Sequence, residues 1–312
     1  MLRISWITRC TVLVIVSGLV SSPRATAQQP TGPTLVGPEN GSLVIVGGAM
    51  RSAEIYERFL ELAGGPDAHI VMIPTAGGAE EYDEYYQGLN SWRRNGATNM
   101  TLLHTIDPAV ADTEEFVEPL LTADAVYFFG GRQWRLVDAY GGTRTEEEIR
   151  KVLDRGGVIG GSSAGASIQG SFLVRGDTRT NRVMMGDHQV GFGYLRNVGI
   201  DQHVLRRNRQ FDLVEVIEAH PELLGIAIDE NTAIVVRGDE FEVIGTSYVI
   251  IHDNQRTIPP DPPETWRTVG GPFYFLKPGD TYDLLTREAF RPSMTQEPIA
   301  RVAPEAVRDP RP

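Results

Sequence analysis

Four short apolar runs, Leu43-Val44-Ile45-Val46, Ile70-Val71-Met72-Ile73, Ala125-Val126-Tyr127-Phe128-Phe129 and Val158-Ile159, constrain the fold more than any other feature of this sequence. Each is followed by Gly or Pro, and none alternates with polar residues. A strand buried on both faces reads this way, and such strands occur in parallel sheets covered by helices. Amphipathic stretches separate the runs. Residues 54–62 place Ile55, Phe59 and Leu62 on one helical face, and residues 145–155 open with Thr145 and the acidic run Glu146-Glu147-Glu148, which suits a helix start. Both are expected to be crossover helices, and the alternation predicts an α/β chain.

Past residue 222 the pattern changes to short β-rich runs at 225–228, 233–236, 241–244 and 248–251. With no linker before them, they are expected as added or antiparallel strands on the same sheet rather than as a second domain. Residues 255–266 read as a Pro-rich surface loop, residues 28–40 as a flexible segment and residues 291–312 as a flexible tail. That leaves residues 41–290 for one α/β domain.

The first 27 residues have the order of a secretory signal: Arg3 and Arg9, an apolar run from Cys10 to Val20, then Ala25-Thr26-Ala27 as a small-residue cleavage site. The run is shorter than the roughly 20 residues a membrane-spanning helix needs. Cleavage after Ala27, and a secreted or periplasmic location, are therefore expected. Cys10 is the single cysteine of the chain, so the processed protein would have no thiol for nucleophilic, disulfide or metal chemistry. The net charge of −12 argues against nucleic acid as a partner. The only lysines, Lys151 and Lys277, follow no Gly-rich phosphate loop.

Chemistry is concentrated at Gly160-Gly161-Ser162-Ser163-Ala164-Gly165-Ala166. Placed after a strand-like run, the Gly-x-Ser-x-Gly pattern centred on Ser163 is that of an elbow. Small flanking residues let the chain turn sharply and hold the hydroxyl above the sheet. A serine so placed needs a base. Of six histidines, His203 stands out, because Asp201-Gln202-His203 is a polar run after Val198-Gly199-Ile200 and precedes Arg206, Arg207 and Arg209.

Together with Gly130-Gly131-Arg132-Gln133 and the stretch from Gly225 to Ala233 that contains Asp229-Glu230-Asn231-Thr232, these segments resemble the cyanophycinase-like serine peptidases. That family includes aspartyl dipeptidases. The resemblance runs from about Leu43 to about Ile251 with the motifs in order. It implies an α/β three-layer sandwich with a mostly parallel central sheet, like class I glutamine amidotransferases (flavodoxin-like). It also implies Ser163 as nucleophile, His203 as general base, and the N–H groups of Gly131 and Ala164 as an oxyanion hole. Gln133, Asp201, Gln202, Arg207 and Arg209 would line the substrate pocket, and the two guanidiniums suit a substrate carboxylate. The activity implied is hydrolysis of amide bonds next to aspartyl or other acidic residues, without metal or cofactor. The partner is then a peptide or β-aspartyl substrate, and a homodimer is left open.

The chain departs from the family in three places. Arg132 stands where Asp or Asn usually precedes the pocket glutamine, and a later arginine of the basic run is replaced near Asp212. No third, acidic partner for the histidine stands out. An ungapped count from the serine lands on Asn181, with Asp177 and Asp187 nearby. Two other functions remain open at this point: a non-catalytic binding protein on the same fold, and an esterase whose base would be His252. A glutamine amidotransferase is excluded, because its nucleophile is a cysteine.

Overall fold

The computed structural model describes residues 35–255 and 273–291. The expected signal segment, most of the 28–40 segment, most of the Pro-rich loop and the tail after 291 lie outside the described residues.

In chain order the strands are β1 (Ser42–Val46), β2 (Ile70–Ile73), β3 (Met100–Leu102), β4 (Ala125–Phe128), β5 (Val158–Ser162), β6 (Gly170–Phe172) and β7 (Leu195–Gln202). They continue with β8 (Leu224–Ile228), β9 (Thr232–Arg237), β10 (Glu240–Gly245), β11 (Val249–His252), β12 (Phe273–Leu276), β13 (Thr281–Asp283) and β14 (Glu288–Phe290). The helices are α1 (Ala53–Ala63), α2 (Leu89–Arg94), α3 (Pro108–Ala111), α4 (Glu114–Leu121), α5 (Trp134–Tyr140), α6 (Arg144–Asp154), α7 (Ala164–Ser167) and α8 (Asp212–Ala219).

The apolar runs form the parallel half of a nine-stranded sheet ordered β14-β13-β10-β9-β1-β5-β4-β2-β3. Side-chain parity explains why these strands are apolar on both faces. Leu43, Ile45, Val71, Ile73, Val126 and Phe128 enter one core, whereas Val44, Val46, Ile70, Met72, Ala125 and Tyr127 enter the other. The second core is closed by α1, whose Ile55, Tyr56, Phe59 and Leu60 are buried, and by edge-to-face packing among Phe59, Trp92 and Tyr127. Both expected crossover helices are present, as α1 and α6.

The expected α/β class holds, but not the single sheet. A separate five-stranded sheet, β12-β11-β8-β7-β6, packs against the first core. Of the four late runs, β9 and β10 do extend the main sheet, β9 antiparallel to β1 and β10 antiparallel to β9. The runs at 225–228 and 248–251 correct the expectation, because they are β8 and β11 of the second sheet. An apolar run fixes that a strand is buried, not which neighbour it pairs with. The outer face of this sheet is covered by α8 through Leu213, Val216 and Ile217. Among the described residues no helix is long and apolar enough to cross a membrane.

Candidate active site

The elbow lies where β5 meets α7. Ser163 adopts φ 56° and ψ −113°, a strained conformation of the sort that costs about 1–3 kcal/mol and is held only by its surroundings. The flanking glycines are needed for close approach. A Cβ on Gly161 would overlap the Gly165 carbonyl, and one on Gly165 would overlap the carbonyl of Phe128. Helix α7 is a single turn, shorter than the helix expected after the motif, because the chain leaves at Gly170 to start the second sheet.

Ser163 and His203 come from different sheets and are tied to the end of β1. The Ser163 N–H donates to the Val46 carbonyl at 3.1 Å, and the His203 N–H to the Gly47 carbonyl at 2.9 Å. Gly48 follows and packs on the imidazole so closely that an added Cβ would overlap the ring. Across this junction Ser163 Oγ lies 2.9 Å from His203 Nε2, and His203 Nδ1 lies 2.7 Å from Glu230 Oε1. With the ring proton on Nδ1 donating to the carboxylate, Nε2 presents its lone pair to the serine hydroxyl.

The carboxylate that meets the imidazole is that of Glu230, not one of the three upstream candidates. Asp177 is engaged with Thr180 and Arg179, Asp187 with Thr178, and Asn181 is fixed through its main-chain carbonyl, which accepts from Arg175. Their loop is tied down by Arg132, whose guanidinium donates to the carbonyls of Asp177 and Thr180. Glu230 sits instead on the bend where the chain crosses from β8 to β9, hence between the two sheets. Each neighbour on that bend has its own task. Asp229 Oδ1 accepts the N–H groups of Leu205 and Arg206 just after the histidine, and Asn231 Oδ1 accepts those of Arg51 and Ser52 at the start of α1. The signal available in the sequence was a polar Asp-Glu-Asn bend between two apolar strands.

His252, the base of an esterase reading, is not at the serine. It is buried on β11, stacked on Phe273, and burial lowers its pKa to about 4. Burial also lowers the pKa of His203. Its bond to Glu230 opposes that shift, and the cations Arg207 and Arg209 add to it. An imidazole below its ordinary range is neutral, and so available as a base, through neutral pH.

Around Ser163, Gly130 backs directly onto the serine, with an added Cβ there 3.1 Å from Ser163 Cβ. Neither the Gly131 nor the Ala164 N–H is engaged by another group among the described residues. The pocket candidates separate into two groups. Gln133 is buried and donates to the Val174 carbonyl at 2.7 Å, and Gln202, also buried, accepts from Arg209 at 3.2 Å. Asp201 is 0% exposed, and both its oxygens are held by Arg175, which also pairs with Asp212. That sequestered carboxylate is not open to a ligand. Arg207 is exposed and makes no side-chain hydrogen bond among the described residues. Together with Arg182, Arg209, Asp212, Glu215 and Glu218 it lines a cleft of about 760 Å³, whose lining includes neither Ser163 nor His203. No sequence motif pointed to Arg175, which turns the lost basic position at Asp212 into an internal ion pair.

The family model described as Peptidase family S51 matches residues 43–244, a stretch that holds Ser163, His203 and Glu230. The chain is 35% identical over 224 residues to a cyanophycinase of Geminocystis herdmanii, covering 69% of this chain and 81% of the relative. It is 29% identical over 261 residues to a cyanophycinase of Nostoc sp. strain PCC 7120, covering 79% and 86%. Among solved structures, a peptidase from an acI-B1 Actinobacterium superposes with a TM-score of 0.59 at 26% identity, covering 79% of this chain and 98% of that one. A match over most of the folded chain, including the elbow, the imidazole and the crossover carboxylate, places it: the chain belongs to peptidase family S51, a family of serine-type peptidases.

Proposed function

We propose that the chain is a cyanophycinase-like hydrolase that cleaves amide bonds adjacent to aspartyl or other acidic residues through an acyl-enzyme on Ser163. The observation that carries the reading is the unbroken hydrogen-bond chain Ser163–His203–Glu230. In the first step Ser163 Oγ adds to the amide carbonyl carbon as its proton passes to His203 Nε2. The N–H groups of Gly131 and Ala164 receive the oxyanion, where one donor is worth about 3 kcal/mol. Glu230 stabilises the imidazolium, which then protonates the departing amine. Water, activated by the same imidazole, releases the acid and restores the serine. Preference for acidic substrates rests on Arg207, an exposed cation four residues past the base whose charge reaches the imidazole. Arg209 is held on Gln202 and supports the same wall.

Turnover of a panel of α- and β-aspartyl peptides by protein beginning at Gln28 tests this reading. Arg207→Ala should lower kcat/KM about 10- to 100-fold on peptides with a free carboxylate, the scale of one charge-assisted hydrogen bond, and far less on amidated analogues. The same variant should move the acid limb of the pH profile upward. Arg207 helps to hold the His203 pKa below 6.5, so removing its charge lets the base protonate at a higher pH. Equal losses on both substrates with an unmoved limb would remove Arg207 from recognition.

We also propose export to a secreted or periplasmic location, supported by the order of charged start, short apolar run and Ala25-Thr26-Ala27. Mass spectrometry of extracytoplasmic protein should place the N-terminus at Gln28. Full-length protein found only in the cytoplasm would reject this.

A further inference from the structure

Beyond β2 the chain makes one tight turn, a 3-10 helix at Thr75–Gly77. This turn acts as a clamp on the backbone that carries Gly131. The Ala76 carbonyl accepts the Arg132 N–H at 2.8 Å and Arg135 Nη1 at 3.0 Å, and the same Nη1 reaches the Gly77 carbonyl at 3.0 Å. Gly131, at φ 149°, lies so close that a Cβ on it would overlap the Ala76 oxygen. The guanidinium itself fills the space beside Gly78. On the other side the turn is anchored by buried Thr75, whose Oγ1 is 2.6 Å from Tyr140 OH and 2.8 Å from His104 Nδ1. Upstream of the glycine, the Phe129 N–H donates to the Ile73 carbonyl at 3.0 Å.

Residues 129 and 132 are thus pinned to one rigid segment, with Gly131 between them. A carbonyl shared by two donors cannot rotate without losing one of them. Arg135 has no carboxylate partner among the described residues, so its cation is directed at two neutral carbonyls of a turn. We propose that Arg135 is a positioning residue that aims the Gly131 N–H at the oxyanion, acting through the Ala76–Gly77 turn. The inference rests on the reading of Ser163 as nucleophile and of Gly131 as an oxyanion donor.

Labelling of Ser163 by a fluorophosphonate tests it without a known substrate. Ser163 Oγ bonds to phosphorus as its proton passes to His203 Nε2, negative charge develops on the phosphoryl oxygen, and the P–F bond breaks to release fluoride. The second-order labelling rate is measured against pH for wild type, Arg135→Ala and Arg135→Lys. Arg135→Ala should lower the plateau about 10- to 100-fold, less than the 10²–10³ of deleting one oxyanion donor outright. Arg135→Lys, which offers a point charge in place of a planar fork, should fall between. The midpoint of the profile should not move, because Arg135 is not among the charges that shift His203. An unchanged plateau would overturn the proposal, as would a midpoint that moves with the rate, since the effect would then pass through the imidazole. If Arg135→Ala does not fold, the lysine variant carries the same comparison. Wild-type protein that is not labelled at all would instead remove the reading of Ser163, a separate failure.

Discussion

Ser163→Ala should abolish peptide turnover, with kcat falling by about 10⁴- to 10⁶-fold, the scale at which loss of a serine nucleophile is felt when base and oxyanion donors remain. His203→Ala should cost a similar factor, because Oγ then has no acceptor for its proton at 2.9 Å. The double variant should be no slower than either single one, since two groups that act as a unit do not contribute separately. Stability should stay within about 1 kcal/mol for the serine change, because it removes one oxygen and leaves the backbone hydrogen bond to Val46 in place. Kinetics on a cleaved aspartyl peptide, with thermal unfolding in parallel, measure both. Additive losses would show that Ser163 and His203 do not work together.

Glu230→Gln should cost about 10³- to 10⁴-fold in kcat with the fold intact. An amide in place of the carboxylate can donate to Nδ1, which drives the ring proton to Nε2 and turns its lone pair away from Ser163. It also removes the charge that stabilises the imidazolium. By contrast, Asp177→Asn and Asp187→Asn should change kcat less than several-fold, because those carboxylates serve turns in the 177–188 loop. A full-activity Glu230→Gln beside an inactive Asp187→Asn would reverse the assignment.

The contrast between these acids indicates what a sequence can reveal. Ser163 is legible because its geometry is local: the glycines at 161 and 165 are required within one turn of chain. The parallel strands are legible because burial on both faces leaves no polar alternation. His203 is less so, and its place beside the serine follows from the docking of β7, which no local pattern encodes. Glu230 was out of reach of any count taken between serine and histidine, because it lies 27 residues beyond the imidazole. The bend that carries it becomes meaningful only once β8 and β9 are known to belong to different sheets. The same limit explains the misplaced runs at 225–228 and 248–251, whose composition says buried and says nothing of partners. Asp201 shows the reverse case, a polar residue in a recognised motif whose carboxylate is enclosed by Arg175, a cation that no nearby motif announced.

Because the serine rides on one sheet, the imidazole on the other and the carboxylate on the bend crossing between them, the reactive distance is also a measure of how the two sheets are docked. Interior substitutions that leave each sheet intact but slide one over the other by about an ångström would open the Ser163–His203 gap well before the fold is lost, and misplacement on that scale is costly to catalysis. The residues that face both sheets in the shared core, such as Ile45, Ile200, Ile226 and Ile234, therefore set an alignment tolerance for chemistry as well as a packing density. Drift among relatives should accordingly be freer along the outer edges, at β3 and β14, than along this seam.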